Sequence, residues 1–259
     1  MTWLEAFILI FTGLFAGFIN TLAGSGSLIT LPVLMFLGLS PTVANGTNRI
    51  AVLFQSIAGV SKFKQKKVFK WEEGKTVLIP VISGAIFGAF VAVDIDKEIM
   101  RRVIGFLLVF MFVMLLTNSD TWIKGQEKKV SGKGKFLQYL IFFAIGFYGG
   151  FIQAGVGFFL LAGLVLGSGF DLLKSNALKL LIVAVFTPFA LSVFIWHHQV
   201  EYFYGFILAI GNVGGALIAA QVAMRWGTGF IRYFLMVILL LAALQLFDFY
   251  TWLFRIIAT

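Results

Sequence analysis

The sequence has 259 residues, of which 60% are hydrophobic and 12% are charged, and its mean hydropathy is +1.00. A soluble domain of this composition would lack the polar groups needed to cover its surface, so the chain is predicted to be an integral membrane protein. The absence of cysteine excludes thiol redox chemistry and cysteine-ligated metals, and the net charge of +9 lies largely in lysine-rich loops, which is typical of membrane topology rather than of nucleic-acid binding.

Seven windows free of Asp, Glu, Lys and Arg follow one another along the chain. Most of them reach or approach the ~20 residues that an α-helix needs to span a bilayer. The alternating strands of ~10 residues that a membrane β-barrel requires are missing. Because backbone polar groups must be hydrogen-bonded inside a membrane, the predicted fold class is an all-α polytopic membrane protein. Its first helix begins near Trp3 and lacks the features of a removable signal peptide.

The first half opens with a long hydrophobic run, Trp3–Leu39, which contains the closely spaced glycines Gly24 and Gly26. As one helix this run would be roughly 55 Å long at ~1.5 Å per residue, too long for one crossing of a ~30 Å hydrocarbon core. It is therefore predicted to break at the glycines, either as a re-entrant hairpin or as two short crossings. Three ordinary helices are predicted after it, at Pro41–Ser61, Thr76–Val93 and Arg102–Thr117.

The second half repeats the first after a polar linker, Asn118–Lys135, that is rich in Lys and Gly. The segment Gly13–Asn20 recurs as Gly146–Gln153, and its own three ordinary helices are predicted at Asp171–Trp196, Phe203–Met224 and Ile231–Phe247. Further matched pairs are Gly24 and Gly155, Gly26 and Gly157, Asn45 and Asn176, Asn48 and Lys179, Gly84 and Gly211, and Gly88 and Gly215. We therefore predict a duplicated unit, with one transmembrane repeat at residues 1–117, a linker at 118–135 and a second repeat at 136–259.

The loop charges predict the relative direction of the two repeats. If each long run crosses the membrane once, 12 loop cations share the face of the linker and 6 lie on the other face. If each run turns back, the division becomes 14 against 4, which obeys the positive-inside rule more strongly. The predicted topology therefore has two inverted structural repeats, each a glycine-broken or re-entrant helical run followed by three transmembrane helices. The linker is then cytoplasmic and both termini are periplasmic.

Two cations lie inside predicted membrane helices. Arg49 and Lys179 are each about eight residues from the start of a helix, which is roughly 12 Å at ~1.5 Å per residue. No acid occurs in the same hydrophobic windows, and intramembrane cations usually face a cavity or a partner. The missing counter-ion indicates that a substrate anion supplies the opposite charge. The alternative is a structural cation that bonds the carbonyls at a helix end.

Glycines and neutral amides accompany these cations in both halves. A helix break at a glycine pair exposes backbone N–H groups that attract anions, although close helix packing through small residues is the alternative. Neutral amides suit oxyanions because they donate without adding charge, although each one also serves as interhelical glue. The predicted substrate-binding residues are Asn20, Gly24, Ser25, Gly26, Asn45, Thr47, Asn48, Arg49, Gln153, Gly155, Gly157, Asn176 and Lys179.

Other motifs are predicted to be structural. The pairs Gly84 with Gly88 and Gly211 with Gly215 favour close helix packing. His197 and His198 end a hydrophobic window and are predicted to lie in an interfacial loop, since adjacent histidines do not face the same way on a helix. No catalytic motif, metal-ligand spacing or cofactor motif occurs in the membrane windows, so the chain is not predicted to be an enzyme.

The segments that carry the candidate residues resemble the TauE/SafE family of sulfite and organosulfonate exporters. The resemblance lies in Gly13–Pro32 and Gly38–Asn48 in the first half, and in Gly149–Gly157 and Asn176–Lys179 in the second. It implies a bacterial inner-membrane carrier that exports sulfite, sulfoacetate or a related sulfur-containing anion. It does not fix the substrate, because members have diverse cargoes and Gln153 stands where the family usually carries a smaller residue.

These observations predict a secondary transporter that works by alternating access, with an anion bound near the membrane midplane at the repeat interface. A passive anion channel is the alternative, because a cationic constriction flanked by amides would serve it equally well. A third class, a membrane sensor or assembly scaffold, would carry no flux. The predicted partners are the small anionic substrate and the lipid bilayer, with no nucleic acid. A homodimer is the prior expectation for the assembly.

Overall fold

The computed structural model describes residues 1–96, 98–99 and 133–246, with most side chains described as far as residue 227. Every element in these ranges is helical, so the predicted all-α fold is confirmed for the described part of the chain. Four helices there are long and apolar enough to span a membrane, and shorter apolar helices accompany them. The predicted helix Arg102–Thr117 and most of the predicted linker lie outside the described residues.

The described helices of the first half are α1 (Trp3–Ala23), α2 (Ser27–Phe36), α3 (Pro41–Gln65) and α4 (Trp71–Asp94). A capping box between Thr2 and Glu5 starts α1 by satisfying two backbone N–H groups. Pro41 starts α3, where its missing N–H is not needed. The long hydrophobic run is therefore two helices, as predicted, with 21 residues before the break and 10 after it.

The described elements of the second half are α5 (Lys133–Phe151), α6 (Val156–Ala162), a π-helical turn (Gly163–Gly167), α7 (Leu172–Trp196) and α8 (Tyr202–Leu246). The second long run is thus broken like the first, between α5 and α6. Asp171 caps α7 by accepting a hydrogen bond from the Lys174 N–H at 2.9 Å. Gly227, with φ 70° and ψ −165°, interrupts the helical geometry of α8.

The two breaks use the same backbone conformation at matched positions. Gly24 ends α1 with φ 79°, and Gly155 precedes α6 with φ 73°. Both values lie in the left-handed region, which glycine adopts without the steric cost that a side chain would bring. The prediction that these glycines break the two runs is confirmed.

The helices α3 and α7 also end in matched turns. Lys67 and His198 follow them, and each has φ 55°. The next N–H group then bonds back into the helix, from Val68 to the carbonyl of Phe63 at 3.2 Å and from Gln199 to Phe194 at 2.9 Å. The similarity between the halves therefore extends to a turn that the sequence comparison did not match.

Each half packs its first helix against the last described helix of the other half, α1 against α8 and α5 against α4. Glycines bring the paired backbones together, because a Cβ on any of them would meet a carbonyl oxygen of the facing helix. These glycines are Gly84, Gly88, Gly211 and Gly215. The prediction that they serve close helix packing is confirmed.

The contacts define the relative directions of the helices. Gly211 faces Ile10 and Gly215 faces Leu14, so α1 and α8 are parallel, and the glycines of α4 contact α5 in the same order. At the centre of the molecule α3 and α7 are antiparallel. Two contacts show this direction, that of Gly46 with Phe194 and that of Gly59 with Leu180.

The remaining neighbours are parallel. The starts of α3 and α8 are joined by a hydrogen bond from the Glu201 N–H to the Thr47 hydroxyl at 2.9 Å, and Lys62 and Gln221 line one cleft near the ends of these helices. The starts of α4 and α7 are in contact with each other, and so are their ends, so these two helices are also parallel. Consequently α1, α3 and α8 run in one direction, and α4, α5 and α7 run in the other.

The helix α2 returns the chain from the end of α1 to the start of α3. Its first turn bonds to the middle of α3, through Thr30 Oγ1 to Asn48 Oδ1 at 2.6 Å and Asn48 Nδ2 to Ser27 Oγ at 3.0 Å. Because α1 and α3 are parallel, this return is required for the chain to begin α3 at the same end as α1. The first long run therefore turns back and is not one continuous crossing.

The helix ends form one face that is rich in lysine and arginine, and that also carries Glu72, Glu73 and Asp171, and a second face whose described charged side chains are acidic. Among the described residues, the end of α3 shares its face with the starts of α4, α5 and α7 and with the later part of α8. The Lys and Arg side chains of this face are Lys62, Lys64, Lys66, Lys67, Lys70, Lys75, Lys135, Lys174 and Arg225. The described charged side chains of the other face are Glu5, Asp94, Asp96, Glu98 and Glu201. We call these the cationic face and the acidic face.

Candidate functional site

The two helix breaks touch each other at the centre of the molecule. A Cβ on Gly24 would overlap the backbone of Gly157, and a Cβ on Gly157 would lie 2.5 Å from the Cα of Gly24. The breaks therefore meet backbone to backbone, and only glycine on both sides allows this approach. Buried polar side chains of α3 and α7 bond to the segments on either side of the breaks, and the predicted site residues that do so are Asn45, Asn48, Arg49 and Lys179.

Lys179 reaches from α7 to the C-terminal end of α1. Its ammonium group donates to the carbonyls of Asn20 at 3.0 Å and Thr21 at 2.9 Å, and to Asn176 Oδ1 at 2.6 Å. The side chain is fully buried. The last carbonyls of a helix lack intrahelical donors and carry the negative end of the helix dipole, so a cation stabilises them.

Arg49 makes the matching contact in the other direction, from α3 to the C-terminal end of α5. Its guanidinium donates to the carbonyls of Gly149 at 3.1 Å and Gly150 at 2.5 Å. Its central carbon also lies 4.4 Å from the ring centre of Phe194, which adds a cation–π contact. Asn45 completes the cap, because its Nδ2 donates to the Phe151 carbonyl at 2.7 Å.

Each half thus supplies the cation that caps a broken helix of the other half. These hydrogen bonds agree with the structural alternative, in which a cation bonds the carbonyls at a helix end. The expectation that a substrate anion supplies the opposite charge stays a prediction. A carbonyl carries no net charge, however, so these contacts leave both positive charges without a counter-ion.

The predicted polar residues of α3 have different partners. Asn45 links α3 to the second break through the Phe151 carbonyl and the Gln153 N–H, the latter at 3.5 Å. Asn48 holds α2, as described above. Thr47 points to the start of α8, where its hydroxyl accepts from the Glu201 N–H. The structure therefore brings Asn45 to the breaks, gives Asn48 a role in holding α2 and directs Thr47 away from them.

The matched residues Asn20 and Gln153 each bond to a polar side chain of the next long helix of their own half. Asn20 Nδ2 donates to Gln55 Oε1 at 2.9 Å, and Gln153 Nε2 donates to the Thr187 hydroxyl at 3.0 Å. Sequence reasoning identified Asn20 and Gln153 but missed Gln55 and Thr187. Gln55 lies two turns after Asn48 on the same helix face, so helical spacing would have found it. Thr187 carries no comparable signal.

Several buried polar atoms at the site have no hydrogen-bond partner among the described residues. Three of them are donors, namely Ser25 Oγ, Arg49 Nε and Asn176 Nδ2, and Gln153 Oε1 is an unpaired acceptor. All four side chains are at most 5% exposed. Buried polar groups are normally paired, so each of these atoms has unused hydrogen-bonding capacity.

No group of His, Asp or Glu with metal-binding geometry occurs among the described residues. His197 Nδ1 lies 2.8 Å from the Val193 carbonyl at the end of α7, and His198 is in the turn that follows. This agrees with the predicted loop position of the histidines. The buried polar side chains that the structure describes near the breaks are cations, amides and hydroxyls.

The fold and this site define a multi-pass helical membrane protein in which two broken helices meet at a buried, positively charged polar cluster. The chain belongs to the family described as Sulfite exporter TauE/SafE, whose model matches residues 9–246. This is a family of membrane transporters and not of enzymes. The resemblance noted from the glycine-rich segments is confirmed.

Similar proteins from bacteria carry transporter names. The chain is 26% identical over 233 residues to the probable membrane transporter protein YfcA of Escherichia coli K12, covering 89% of this chain and 85% of that protein. It is 26% identical to the probable membrane transporter protein ORF9 of a Sinorhizobium species, covering 89% and 88%. A probable membrane transporter protein of Haemophilus influenzae is 27% identical, with 87% and 88% covered. No solved structure matches the chain.

Proposed function

We propose that the protein exports small sulfur-containing oxyanions, such as sulfite or an organosulfonate, through a site between its two helix breaks. The observation that carries the proposal is the set of unpaired buried donors on Ser25, Arg49 and Asn176. A buried donor without a partner costs about 1–3 kcal/mol, so a ligand that accepts hydrogen bonds completes the site. An oxyanion is such a ligand.

Charge supports an anion over a neutral ligand. Arg49 and Lys179 are both fully buried, and none of their described hydrogen-bond partners is a carboxylate. Two buried positive charges without a counter-ion are costly in a membrane, and an anion between them lowers that cost. Hydrogen bonds from charged donors to an oxyanion are also stronger than those between neutral groups.

The first break brings the N-terminal end of α2 to this site. Gly26 precedes α2 and offers no side-chain cap, and the N–H groups of Leu28, Ile29 and Thr30 donate to the carbonyls of Ser25 and Gly26. The positive end of the helix dipole lies at the same place. A broken membrane helix of this kind suits the negatively charged group of a substrate.

We infer that the two halves are inverted repeats. The contacts that support this give equivalent helices opposite directions: α1 runs against α5, α3 against α7, and α4 against α8. The distribution of described charges supports the orientation, because the positive-inside rule makes the cationic face cytoplasmic. Both termini are then periplasmic, as the loop charges predict.

This arrangement supplies the parts that alternating access requires. The glycine-packed pairs α1 with α8 and α4 with α5 each join a helix from both repeats. In the proposed mechanism each pair moves as a unit. Tilting these pairs about the central helices α3 and α7 opens the breaks to one face at a time. Export of a monovalent anion is driven by an inside-negative potential, which contributes ~2.3 kcal/mol per 100 mV.

A pair of serine variants tests the site. Ser25 and Ser56 are both buried and both have a hydroxyl without a partner, but only Ser25 lies in a helix break. We expect Ser25→Ala to weaken binding of the effective anion about 5-fold or more, because the lost donor is worth about 1 kcal/mol or more to an anion. Ser56→Ala should bind as the wild type does. The measurement is thermal stabilisation by a panel of sulfite, sulfoacetate, ethanesulfonate, sulfate and nitrate.

Either of two results would count against the site. The first is that no sulfur oxyanion of the panel stabilises the wild-type protein. The second is that both serine variants bind the same anion with unchanged affinity. Because each variant removes a hydroxyl that bonds to nothing in the protein, both should remain folded, and their unfolding temperatures without anion provide the check.

A further inference from the structure

A cleft of about 560 Å³ opens among α3, α7 and α8 near the cationic face. Its lining includes three cations, Lys62, Lys66 and Arg225, together with the amides of Gln65 and Gln221. None of the described residues that line it is acidic. A cleft with one sign of charge and low-dielectric walls concentrates ions of the opposite sign.

The cleft lies on the side of Lys179 that is nearer the cationic face. Leu173 lines it and is six residues before Lys179 on α7, which is roughly 9 Å at ~1.5 Å per residue. Gln221 lines it on α8, six residues beyond Gly215, and Gly215 packs against Leu14 and Phe18 of the parallel helix α1. The cleft therefore lies at about the level of the C-terminal end of α1, which Lys179 caps.

The equivalent place at the acidic face is built differently. The positions that match Lys62, Lys66 and Arg225 in the other half are Val193, His197 and Glu98, and those that match Gln221 and Met224 are Asp94 and Lys97. None of the three cations of the cleft is therefore matched by a lysine or an arginine at the other end of the duplicated scaffold.

The two ends also differ in closure. Gln199 donates a hydrogen bond to the Val93 carbonyl at 2.9 Å, which ties the end of α7 to the end of α4 at the acidic face. The residue that matches Gln199 in the other half is Val68, which lines the cleft and has no side-chain donor. One valine in place of glutamine thus leaves the cationic end without this tie.

We propose that this cleft is a capture site for small oxyanions, which collects them at the cationic face and delivers them toward the helix breaks. This rests on the proposed export function but names a second site with its own residues. Because the matched place at the acidic face lacks the three cations of the cleft and has the hydrogen bond between Gln199 and Val93, we expect capture at the cationic face only. Capture at one face would give the duplicated scaffold a preferred direction of transport.

Thiol chemistry tests the cleft directly, because the chain has no cysteine and a single introduced thiol reacts alone. Gln221→Cys places a thiol in the cleft, and Asp94→Cys places one at the matched position of the acidic face. Each variant, purified and reconstituted in phosphatidylcholine, is treated with an anionic sulfonate methanethiosulfonate or with its cationic trimethylammonium analogue. The ratio of the two reaction rates reports the local potential and the access of a small sulfonate.

We expect this anionic-to-cationic rate ratio to be about 10-fold or more higher at Gln221→Cys than at Asp94→Cys. Neutralising Lys62, Lys66 and Arg225 together as glutamines should remove most of the difference. Ethanesulfonate should slow the anionic reagent at Gln221→Cys and leave Asp94→Cys unaffected. Equal ratios at the two thiols, or no effect of the neutralised cations, would overturn the proposal.

Lipid competition shows whether the oxyanion in the cleft is a lipid headgroup or a free anion. If phosphatidylglycerol in the bilayer protects Gln221→Cys while ethanesulfonate does not, the cleft holds a lipid headgroup and the proposal is wrong. The labelling experiment does not depend on transport. A protein that captures the sulfonate but shows no efflux would contradict the proposed function and leave the capture site standing.

Discussion

At the scale of single residues, the buried cations work on the protein as well as on a ligand. Lys179 and Arg49 each hold the end of a broken helix that belongs to the other half of the chain. Since helix-end carbonyls in a membrane interior have no water to bond, these contacts stabilise the breaks. The same positive charges remain available to an anion that binds beside them.

A methionine substitution measures the stabilising part of this role. Lys179→Met keeps much of the side-chain volume but removes three hydrogen bonds, two of them to the carbonyls of Asn20 and Thr21. We expect the free energy of unfolding to fall by about 3 kcal/mol, because buried acceptors lose a charged donor. Lys174→Met is the control, since its bond to Glu73 is partly exposed and is worth about 0–1 kcal/mol. Thermal unfolding in detergent distinguishes them, and equal losses would contradict the capping role.

At this scale the sequence predicted most of the site residues but not all of their hydrogen-bond partners. The depth of Arg49 and Lys179 in apolar windows predicted buried cations, and both are buried. Their carbonyl partners come from residues that are distant in sequence, and a backbone acceptor leaves no mark in the amino-acid pattern. For the same reason the sequence did not reveal that Thr47 faces the start of α8.

At the scale of elements, the contact between the two breaks depends on glycine at both positions. Gly157 does not have a positive φ, so Gly157→Ala tests close approach alone. Its Cβ would lie 2.5 Å from Gly24 Cα, so the breaks must separate. We expect a loss of about 1–3 kcal/mol in the free energy of unfolding and loss of transport.

Gly167→Ala is the matched control for this substitution. A Cβ at that position has no atom within 4 Å, and its φ is not positive. Its unfolding temperature and flux should equal those of the wild type. Wild-type behaviour of Gly157→Ala would show that the breaks do not need their direct contact.

Glycine positions predicted the two helix breaks well, because the backbone conformation of a break depends on the local sequence. A pair of glycines in a run too long for one crossing indicated each break, and the breaks occur at Gly24 and Gly155. The bounds of α2 and α6 were not predicted, and neither was the π-helical turn after α6, because packing against α3 and α7 sets these lengths. An apolar sequence is compatible with many such lengths.

At the scale of the whole molecule, the described charged side chains divide between the cationic face and the acidic face. Two single-cysteine variants test the orientation, Asp96→Cys on the acidic face and Lys70→Cys on the cationic face. With a membrane-impermeant maleimide and intact spheroplasts, we expect Asp96→Cys to be labelled at once and Lys70→Cys only after permeabilisation, because the cationic face is cytoplasmic. The reverse pattern would contradict the orientation, and labelling of both from outside would contradict the separation of the faces.

Loop charges alone predicted which face is cationic, because the lysines are concentrated in short loops. They gave no information on the cleft or on the tie between Gln199 and Val93 at the opposite face. That difference depends on a single substitution between halves, Val68 in place of Gln199. These two residues can be recognised as equivalent only after the matched turns that follow α3 and α7 are aligned.

The central claim is that a sulfur oxyanion is carried through the site between the two breaks. Counterflow of labelled sulfite and labelled sulfoacetate in proteoliposomes tests it most directly, with Asn176→Asp beside the wild type. In this variant the acceptor for Lys179 remains, while the unpaired amide donor becomes a carboxylate oxygen that repels an anion. We predict saturable counterflow of at least one of the two anions by the wild type, and a loss of at least 10-fold in folded Asn176→Asp. Counterflow that is absent for both anions, or equal in the two proteins, would contradict the account.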